Sequence, residues 1–572
     1  MGWLFPSLRG YQRSWLRGDL LSGVTVWAVL VPEALAYASI AGVSPVVGLY
    51  AAPGALILYA AFGSSRQLVV GPMAATAALS AATIAALVPV GGDRFAALTA
   101  GLAISTGLAA LVSGLLRLGF LASFISAPVL KGFIVGLALT IIIGQVPKLL
   151  GIAKGSGDFF QQLWHVISHL GDIDGLTLLV GVVSLAVIIA LRRVAPGVPG
   201  SLAAVLLGIA AVKLLHLDRH GVDIVGPIKS GLPSFGIPDI RASDIGDLAA
   251  GGIGVMLVGF AEGLGAAKTY AAREHEQIDP NRELLGLGGA NLASALSSGM
   301  VVNGSLSKTA VNASSGARSQ LSGLIVAALT IITLLVLTGL FEDLPEATLS
   351  AIVIAAVIEL VDIPALISLY RIYSRRLGRE FGFVARPDFI AAIAALLGVT
   401  VFDTLPGLFI GITVSLLLLI YRASRPYIAT LGKTPGPDGH YRDIDRHPDA
   451  HPADHVAVLR VESGLYFANV DAVRTQILKA AAADEIRAVV LDAETIPFID
   501  VTASSMLRDL SDELRHQDVK LLIARDIGQV RDMLRHVVDD PALDEVYPTV
   551  QAAVDAAEDT RHPRGRSERF PG

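Results

Sequence analysis

Two short, polar and glycine-containing stretches interrupt an otherwise apolar chain, and both carry residue types suited to holding a small anion. The first is Gly71-Pro72-Met73-Ala74-Ala75-Thr76 and the second Asn303-Gly304-Ser305-Leu306-Ser307-Lys308-Thr309. An unpaired peptide group in hydrocarbon is costly, so helix-breaking sequence at membrane depth survives only where it is buried in protein or lines a cavity. A pair of such breaks in corresponding halves of a chain points to a transporter's binding site. If each break starts a half-helix, free N–H groups and a partial charge of about +0.5 converge on one place, a setting that suits an anion. Pro72, directly after Gly71, is a favoured residue for a first helical turn.

Two carboxylates extend this chemistry. Glu33 and Glu262 lie near the middle of apolar runs, where an ionised side chain costs about 3 kcal/mol on insertion scales and is a functional candidate by default. A carboxylate beside an anion pocket repels the substrate unless it carries a proton, which is a way to couple anion entry to a proton. The plainer reading of Glu33 is a structural carboxyl bonded to backbone freed by a helix break. Tyr37, one turn from Glu33 on the same face, either lines the cavity or anchors in the core. Ser305, Ser307 and Thr309 either meet substrate or hydrogen-bond a neighbouring helix. Met73 and Thr76 are open to close packing as the alternative. Lys308 deepens the positive pocket or pairs with a carboxylate.

The elements that position these residues follow from composition. The chain has 572 residues, 53% hydrophobic and 16% charged, with a mean hydropathy of +0.62, values outside the soluble globular range. Apolar runs recur at Leu20 to Ile40, Phe95 to Leu116, Val129 to Val146, Leu176 to Leu191, Leu202 to Leu215, Ile253 to Ala272, Leu321 to Leu340 and Phe389 to Val401. Several have the roughly 17 to 25 residues needed to cross a bilayer. The first is too long for a signal-peptide core and has no small-residue cleavage site after it. Arg9, Arg13 and Arg17, with Arg117, Arg192, Arg193, Arg273, Arg282 and the cluster Arg371, Arg375, Arg376, Arg379, fall in segments that alternate onto one side. The positive-inside rule then puts both termini in the cytoplasm. The net charge of −6 carries little weight there, and the absence of Cys excludes disulfide and thiolate chemistry.

After Arg422 the character changes to charge, His and Pro, so residues 1–425 read as the membrane domain and 426–454 as a linker. Residues 455–560 read as a small α/β domain and 561–572 as a disordered tail. Val456 to Val461 and a short Leu465-Tyr466-Phe467 read as strands, followed by a helix capped by Asn469 or Asp471. Ala488 to Leu491 and Lys520 to Ala524 read as buried strands, with helices near Thr502 to Arg515 and Gln529 to Val538. Such alternation implies a largely parallel sheet covered by helices.

Several motifs, in one order along nearly the whole chain, resemble the sulfate permease (SulP) family, relatives of prestin and pendrin. They are Gly23-Val24-Thr25-Val26, Val31-Pro32-Glu33-Ala34-Leu35-Ala36-Tyr37-Ala38, Gly48-Leu49-Tyr50, Gly63-Ser64-Ser65-Arg66-Gln67, Pro128-Val129-Leu130-Lys131-Gly132-Phe133, Asn281-Arg282-Glu283-Leu284 and Ser305-Leu306-Ser307-Lys308-Thr309. Leu465-Tyr466-Phe467-Ala468-Asn469 and Ile499-Asp500-Val501-Thr502 resemble that family's cytoplasmic STAS domain. The resemblance implies about fourteen membrane segments in two inverted repeats of seven, with a core domain moving against a gate domain in alternating access. It implies a substrate site between the two half-helices, closed by a face of the first helix: Glu33, Tyr37, Met73, Ala74, Thr76, Ser305, Leu306, Ser307 and Lys308. Glu33 departs from the Gln that many members carry, and Lys308 stands where many animal relatives have Arg. Glu262 matches a position where some relatives hold an acidic residue linked to sodium; its alternative is a pair with Lys308. Thr502 matches a phosphorylated serine of bacterial anti-anti-sigma factors and is a regulatory candidate, with a plain helix start as the alternative.

His447, His451 and His455 are evenly spaced, but Pro448 and Pro452 forbid the helix that would bring them onto one face, and no metal site is expected. Neither a phosphate-binding Gly-rich loop nor a dinucleotide fingerprint is present. The expectation is a secondary active anion transporter for sulfate or a related oxyanion or carboxylate, coupled to H+ and free of cofactors. It would be a plasma-membrane homodimer with no nucleic-acid partner. A sodium-coupled bicarbonate transporter and an uncoupled anion channel or exchanger are the alternatives.

Overall fold

The computed structural model describes residues 4–120, 126–155, 157–195, 197–228, 230–358, 361, 364, 367, 387–402, 404–436, 440–537 and 546–559. The arginine cluster 371–379 and the tail 561–572 lie outside the described residues. Two compact units divide the chain, Met1–Ser415 and Leu416–Gly572.

The first unit is helical because its apolar runs have nowhere else to satisfy their backbone in lipid. Its helices are α1 (Leu16–Ile40), α2 (Pro45–Phe62), α3 (Ala74–Ala85), α4 (Asp93–Leu115), α5 (Ala127–Leu150), α6 (Phe159–Ser168), α7 (Gly175–Val194) and α8 (Gly200–Leu215). They continue with α9 (Ile245–Arg273), α10 (Pro280–Leu296), α11 (Leu306–Ser314), α12 (Leu321–Ile332), α13 (Glu346–Ile358) and α14 (Pro387–Phe402), and α15 (Thr404–Ala423) begins in this unit and runs past its last residue, Ser415. Among the described residues, eight helical spans are long and apolar enough to cross a membrane, and four apolar helices are shorter. Starts are capped by the residue types that suit them: Ser126 for α5, Asp174 for α7, and Asp279 followed by Pro280 for α10.

The same order of elements occurs twice. Two long helices lead to a three-residue strand and a short helix: α1, α2, β1 (Val69–Gly71), α3, and again α9, α10, β2 (Asn303–Ser305), α11. The strands pair antiparallel, Val69 with Ser305 and Gly71 with Asn303, so the two copies run in opposite senses. Glycine lets the helices close up. A Cβ on Gly48 of α2 would stand 2.0 Å from the carbonyl oxygen of Ala34, and one on Gly132 of α5 would stand 1.9 Å from that of Ala392. Both are helix crossings that only a hydrogen side chain permits.

Buried polar groups then bind the strand ribbon to its surroundings. Asp19 of α1 accepts from the Arg318 and Ser319 amides and from the Ser319 hydroxyl. Glu283 of α10 accepts from the Ser64 and Ser65 amides, the Ser64 hydroxyl and the Tyr59 hydroxyl. Gln320 Nε2 donates to the Ser65 and Leu68 carbonyls, and Asn312 Nδ2 to the Gln67 carbonyl.

The second unit holds a six-stranded sheet in the order β4-β3-β5-β6-β7-β8. Strands β5 (Val456–Val461), β6 (Ala488–Asp492), β7 (Lys520–Ala524) and β8 (Val546–Tyr547) run parallel. An antiparallel hairpin of β3 (Ile428–Lys433) and β4 (Tyr441–Asp443) completes it. Helices Val470–Ala481 and Val501–Arg515 help build one apolar cluster, and helix Val550–Asp559 a second. The linker read for 426–454 is corrected here, since it contains two strands of this sheet. Ala429 and Leu431 of β3 are buried, while Pro435 and Gly436, two of the residues that suggested a linker, lie in a bend just after β3. The strand read at Leu465 to Phe467 is also corrected, to a single bridge between Leu465 and Ile499. Asn469 folds this stretch into a turn by donating to the Gly464 carbonyl and accepting from the Tyr466 amide.

Candidate functional site

Two helix starts meet through the strand ribbon. Helix α3 leaves the end of β1 and α11 leaves the end of β2, and in the antiparallel register those ends are two positions, about 7 Å, apart. Met73, in extended conformation, precedes the first residue of α3, so Pro72 stands outside the helix rather than in its first turn as the sequence suggested. Ser305 caps α11: its hydroxyl accepts from the Lys308 amide at 3.3 Å and lies 3.2 Å from the Ser307 hydroxyl. With Met73 providing no side-chain cap, the first N–H groups of α3 lack that partner.

Lys308, in the first turn of α11, reaches across to α1. Its Nζ lies 2.7 Å from Glu33 Oε2, with the two side chains only 1% and 6% exposed. The same ammonium sits 5.0 Å above the ring centre of Tyr37, one turn farther along α1. The structure therefore gathers Glu33, Tyr37, Ser305, Ser307 and Lys308 at one spot, with Met73 and Ala74 buried at the other helix start. Ser307 and Leu306 are exposed. Thr309 is a ribbon residue, for its hydroxyl accepts from the Val69 amide at 3.0 Å and donates to the Ser305 carbonyl. Thr76 is buried, donates to the Met73 carbonyl at 3.3 Å, and lines a small cavity with Thr106, Asn291 and Asn303 behind the ribbon.

The pairing of Glu262 with Lys308 is corrected: the partner of Lys308 is Glu33. Glu33 and Glu262 nevertheless occupy corresponding places, each seventeen positions beyond the first residue of its helix, Leu16 and Ile245. The repeat that carries Glu262 meets α3, whose first turn has no cation, whereas α11 offers Lys308 to Glu33. Among the described residues, Glu262 Oε2 is buried without a hydrogen-bond partner, and so is Asn303 Nδ2. The positioning residues Asp19, Glu283, Asn312 and Gln320 are not singled out by sequence reasoning. Glu283 and Ser64-Ser65 lie in two separate motifs, and nothing in a linear reading says that they touch.

In the second unit, Thr502 is exposed at the start of helix Val501–Arg515. Asp500 caps that helix through the Ala503 amide at 2.8 Å and accepts from the Phe467 amide. Asp492 is fully buried at the end of β6 and is held by Arg460 and Arg525. Asp443 accepts from the Tyr427 hydroxyl, and this bond, with burial, pushes the phenol up to about 12.

Residues 16–376 match the model of the sulfate permease family, and residues 447–553 that of the STAS domain. A probable sulfate transporter of Mycobacterium tuberculosis is 36% identical over 552 residues, covering 96% of each chain. Sulfate transporter 1.2 of Arabidopsis thaliana is 30% identical, over 96% of this chain and 86% of its own. The fold is that of SLC26A9, with a TM-score of 0.87 at 22% identity over 98% of this chain and 93% of the other. The transmembrane domain of the cyanobacterial bicarbonate transporter BicA superposes with a TM-score of 0.60 at 24% identity, covering 68% of this chain and 98% of its own. With a multi-span helical unit built on a strand ribbon, a STAS domain after it, and these matches along its length, the chain belongs to the sulfate permease family, membrane transporters of anions and not enzymes.

Proposed function

We propose that this protein is a secondary active, proton-coupled anion transporter that works by alternating access, with sulfate as its leading substrate. The curated relatives named as sulfate transporters support that choice of anion. The observation that carries the coupling is the buried pair between Lys308 and Glu33. With Glu33 ionised, the ammonium is neutralised from within the protein and the pocket offers an anion little net charge. A proton on Glu33 frees that charge to act with the N–H groups of α3 and α11. Proton and anion then favour each other's binding, and by linkage the effect is reciprocal. Ser305, Ser307, Met73, Ala74, Thr76, Leu306 and Tyr37 complete the substrate contacts in this reading.

The test is uptake of radiolabelled sulfate, bicarbonate, chloride and fumarate into proteoliposomes under imposed proton and sodium gradients. Glu33→Gln keeps the shape and fixes the neutral state, so it retains exchange and loses proton-driven accumulation. Accumulation by this variant in response to pH would exclude coupling through Glu33. Transport that only follows the anion's own gradient would instead mark an uncoupled channel or exchanger.

A second reading has its own observation. The Oε2 of Glu262, without a partner among the described residues, suits a coupling cation, and the transmembrane domain of the bicarbonate transporter BicA shares the fold. Sodium dependence abolished by Glu262→Gln would select sodium-coupled transport. The remaining elements of the proposal are a plasma-membrane homodimer with cytoplasmic termini and regulation at Thr502. A phosphate there would meet a favourable helix start but also the charge of Asp500.

A further inference from the structure

A second feature of the membrane unit lies outside the site. A cavity of about 400 Å³ is walled by α1, α3, α5, α14 and the segment leading into α6. It begins one turn beyond the candidate site on both neighbouring helices: Ile40 follows Tyr37, and Ala78 follows Ala74. One turn is about 5.4 Å. From there Ala78, Ala82 and Ala85 form a smooth wall along α3 to its far end. Among the described residues, two charged ones line this space, Lys154 and Asp158.

Those two are not partners. Asp158 is committed to α6, accepting from the Gln161 amide at 2.9 Å as part of a capping box. Lys148, whose charge acts on Lys154, is paired with Glu346 at 3.0 Å. Lys154 makes no ion pair among the described residues. Burial and the charge of Lys148 pull its pKa below that of a free lysine, as befits a cation without a counterion. Elsewhere in this unit Arg66, Arg94, Lys213 and Arg318 each have a carboxylate partner.

We propose that Lys154 is an anion-recruiting residue at the mouth of the pathway on the side toward which α3 runs, raising the local concentration of anions one step before the Lys308 site. The inference rests on the anion-transport reading of that site. An unpaired cation on low-dielectric walls focuses its field into the cavity and accelerates entry of the opposite charge. It acts on capture and not on the bound state, because the selective contacts belong to the helix starts farther in.

The chain contains no cysteine, so Lys154→Cys places a single thiol at this mouth. In proteoliposomes at low ionic strength, the variant should show a KM for the best-transported anion of the panel raised about three- to tenfold, with Vmax and anion ranking unchanged. A membrane-impermeant cationic thiosulfonate should bring KM back to within about twofold of wild type. An anionic one should raise it further, and about 0.5 M salt should erase the differences. Because charge is restored or inverted on the same folded molecule, misfolding cannot imitate this pattern. Equal KM for the cationic and anionic adducts, or a change confined to Vmax, would overturn the role of Lys154. A wild-type protein that moves no anion of the panel would instead overturn the transport reading, and this inference with it.

Discussion

Lys308 Nζ and Glu33 Oε2 stand 2.7 Å apart, joining the first turn of α11 to the middle of α1 in a place where neither side chain meets solvent. Removing one member of such a pair leaves an uncompensated buried charge and typically costs about 3 to 5 kcal/mol, whereas an apolar replacement of both is far better tolerated. We expect Lys308→Ala to destabilise the purified protein by this order. Glu33→Leu/Lys308→Met should recover most of the loss, read as detergent-solubilised melting temperature. The double variant should stay inactive in transport, which separates the pair's structural part from its part in binding.

Lys308→Arg should keep transport and change the order of preferred anions. Guanidinium presents a planar fork of donors, while ammonium is a compact point charge. Competition of unlabelled anions against sulfate uptake reads this directly, and an unchanged ranking would remove Lys308 from the selective contacts.

Glu283 holds the segment that leads into β1. It gathers the Ser64 and Ser65 amides and two hydroxyls just ahead of β1. Glu283→Ala should cost on the order of 3 kcal/mol, since buried donors to a charged acceptor are left unmet. Glu283→Gln should cost less and lower the maximal rate more than the anion affinity. Melting curves and uptake kinetics on the same preparations provide the check.

Tyr427 gives an alkaline signature. Its phenol is pushed up to about 12 from the ordinary 10.0, chiefly by the bond to Asp443. A raised folded-state pKa means that this stabilisation is whole below about pH 10 and is lost as pH rises through about 12. Tyr427→Phe should lower the melting temperature at neutral pH, where the stabilisation is whole, and flatten its further fall across that alkaline window.

Gly48→Ala places a methyl where the carbonyl oxygen of Ala34, the neighbour of Glu33, leaves 2.0 Å. The α1–α2 crossing must then open, and transport should fall at least tenfold even if the protein folds. Cell-surface yield measured beside uptake distinguishes the two losses.

Much of this architecture is legible in the sequence for physical reasons. Long apolar runs leave little choice but helix, so the first helix, read as Leu20 to Ile40, is observed as Leu16–Ile40. The two breaks are legible because Gly71-Pro72 and Asn303-Gly304 cannot continue a helix at membrane depth. What they do is less so. That both form strands of one ribbon is a long-range pairing, and no local preference of three residues announces it. The partner of Lys308 is likewise a matter of which carboxylate faces α11, and Glu33 and Glu262 look alike to a linear reading. In the second unit, Pro435 and Gly436 after β3 hid a hairpin, because turn residues and linker residues are of the same types.

The ribbon also sets a schedule for biosynthesis. Gly71 finds its strand partner in Asn303, and about 230 residues separate them along the chain. At roughly 5 to 20 residues per second, the ribosome needs on the order of 10 to 50 seconds to supply the second strand. Throughout that interval the amides and carbonyls of residues 69–71 have no mate within the nascent half, in a solvent that offers none. The first repeat must therefore wait near the insertion machinery, or be chaperoned by it, until the second arrives. A chain cut between the repeats would have to be rejoined by co-expression of both pieces before either could settle in the bilayer.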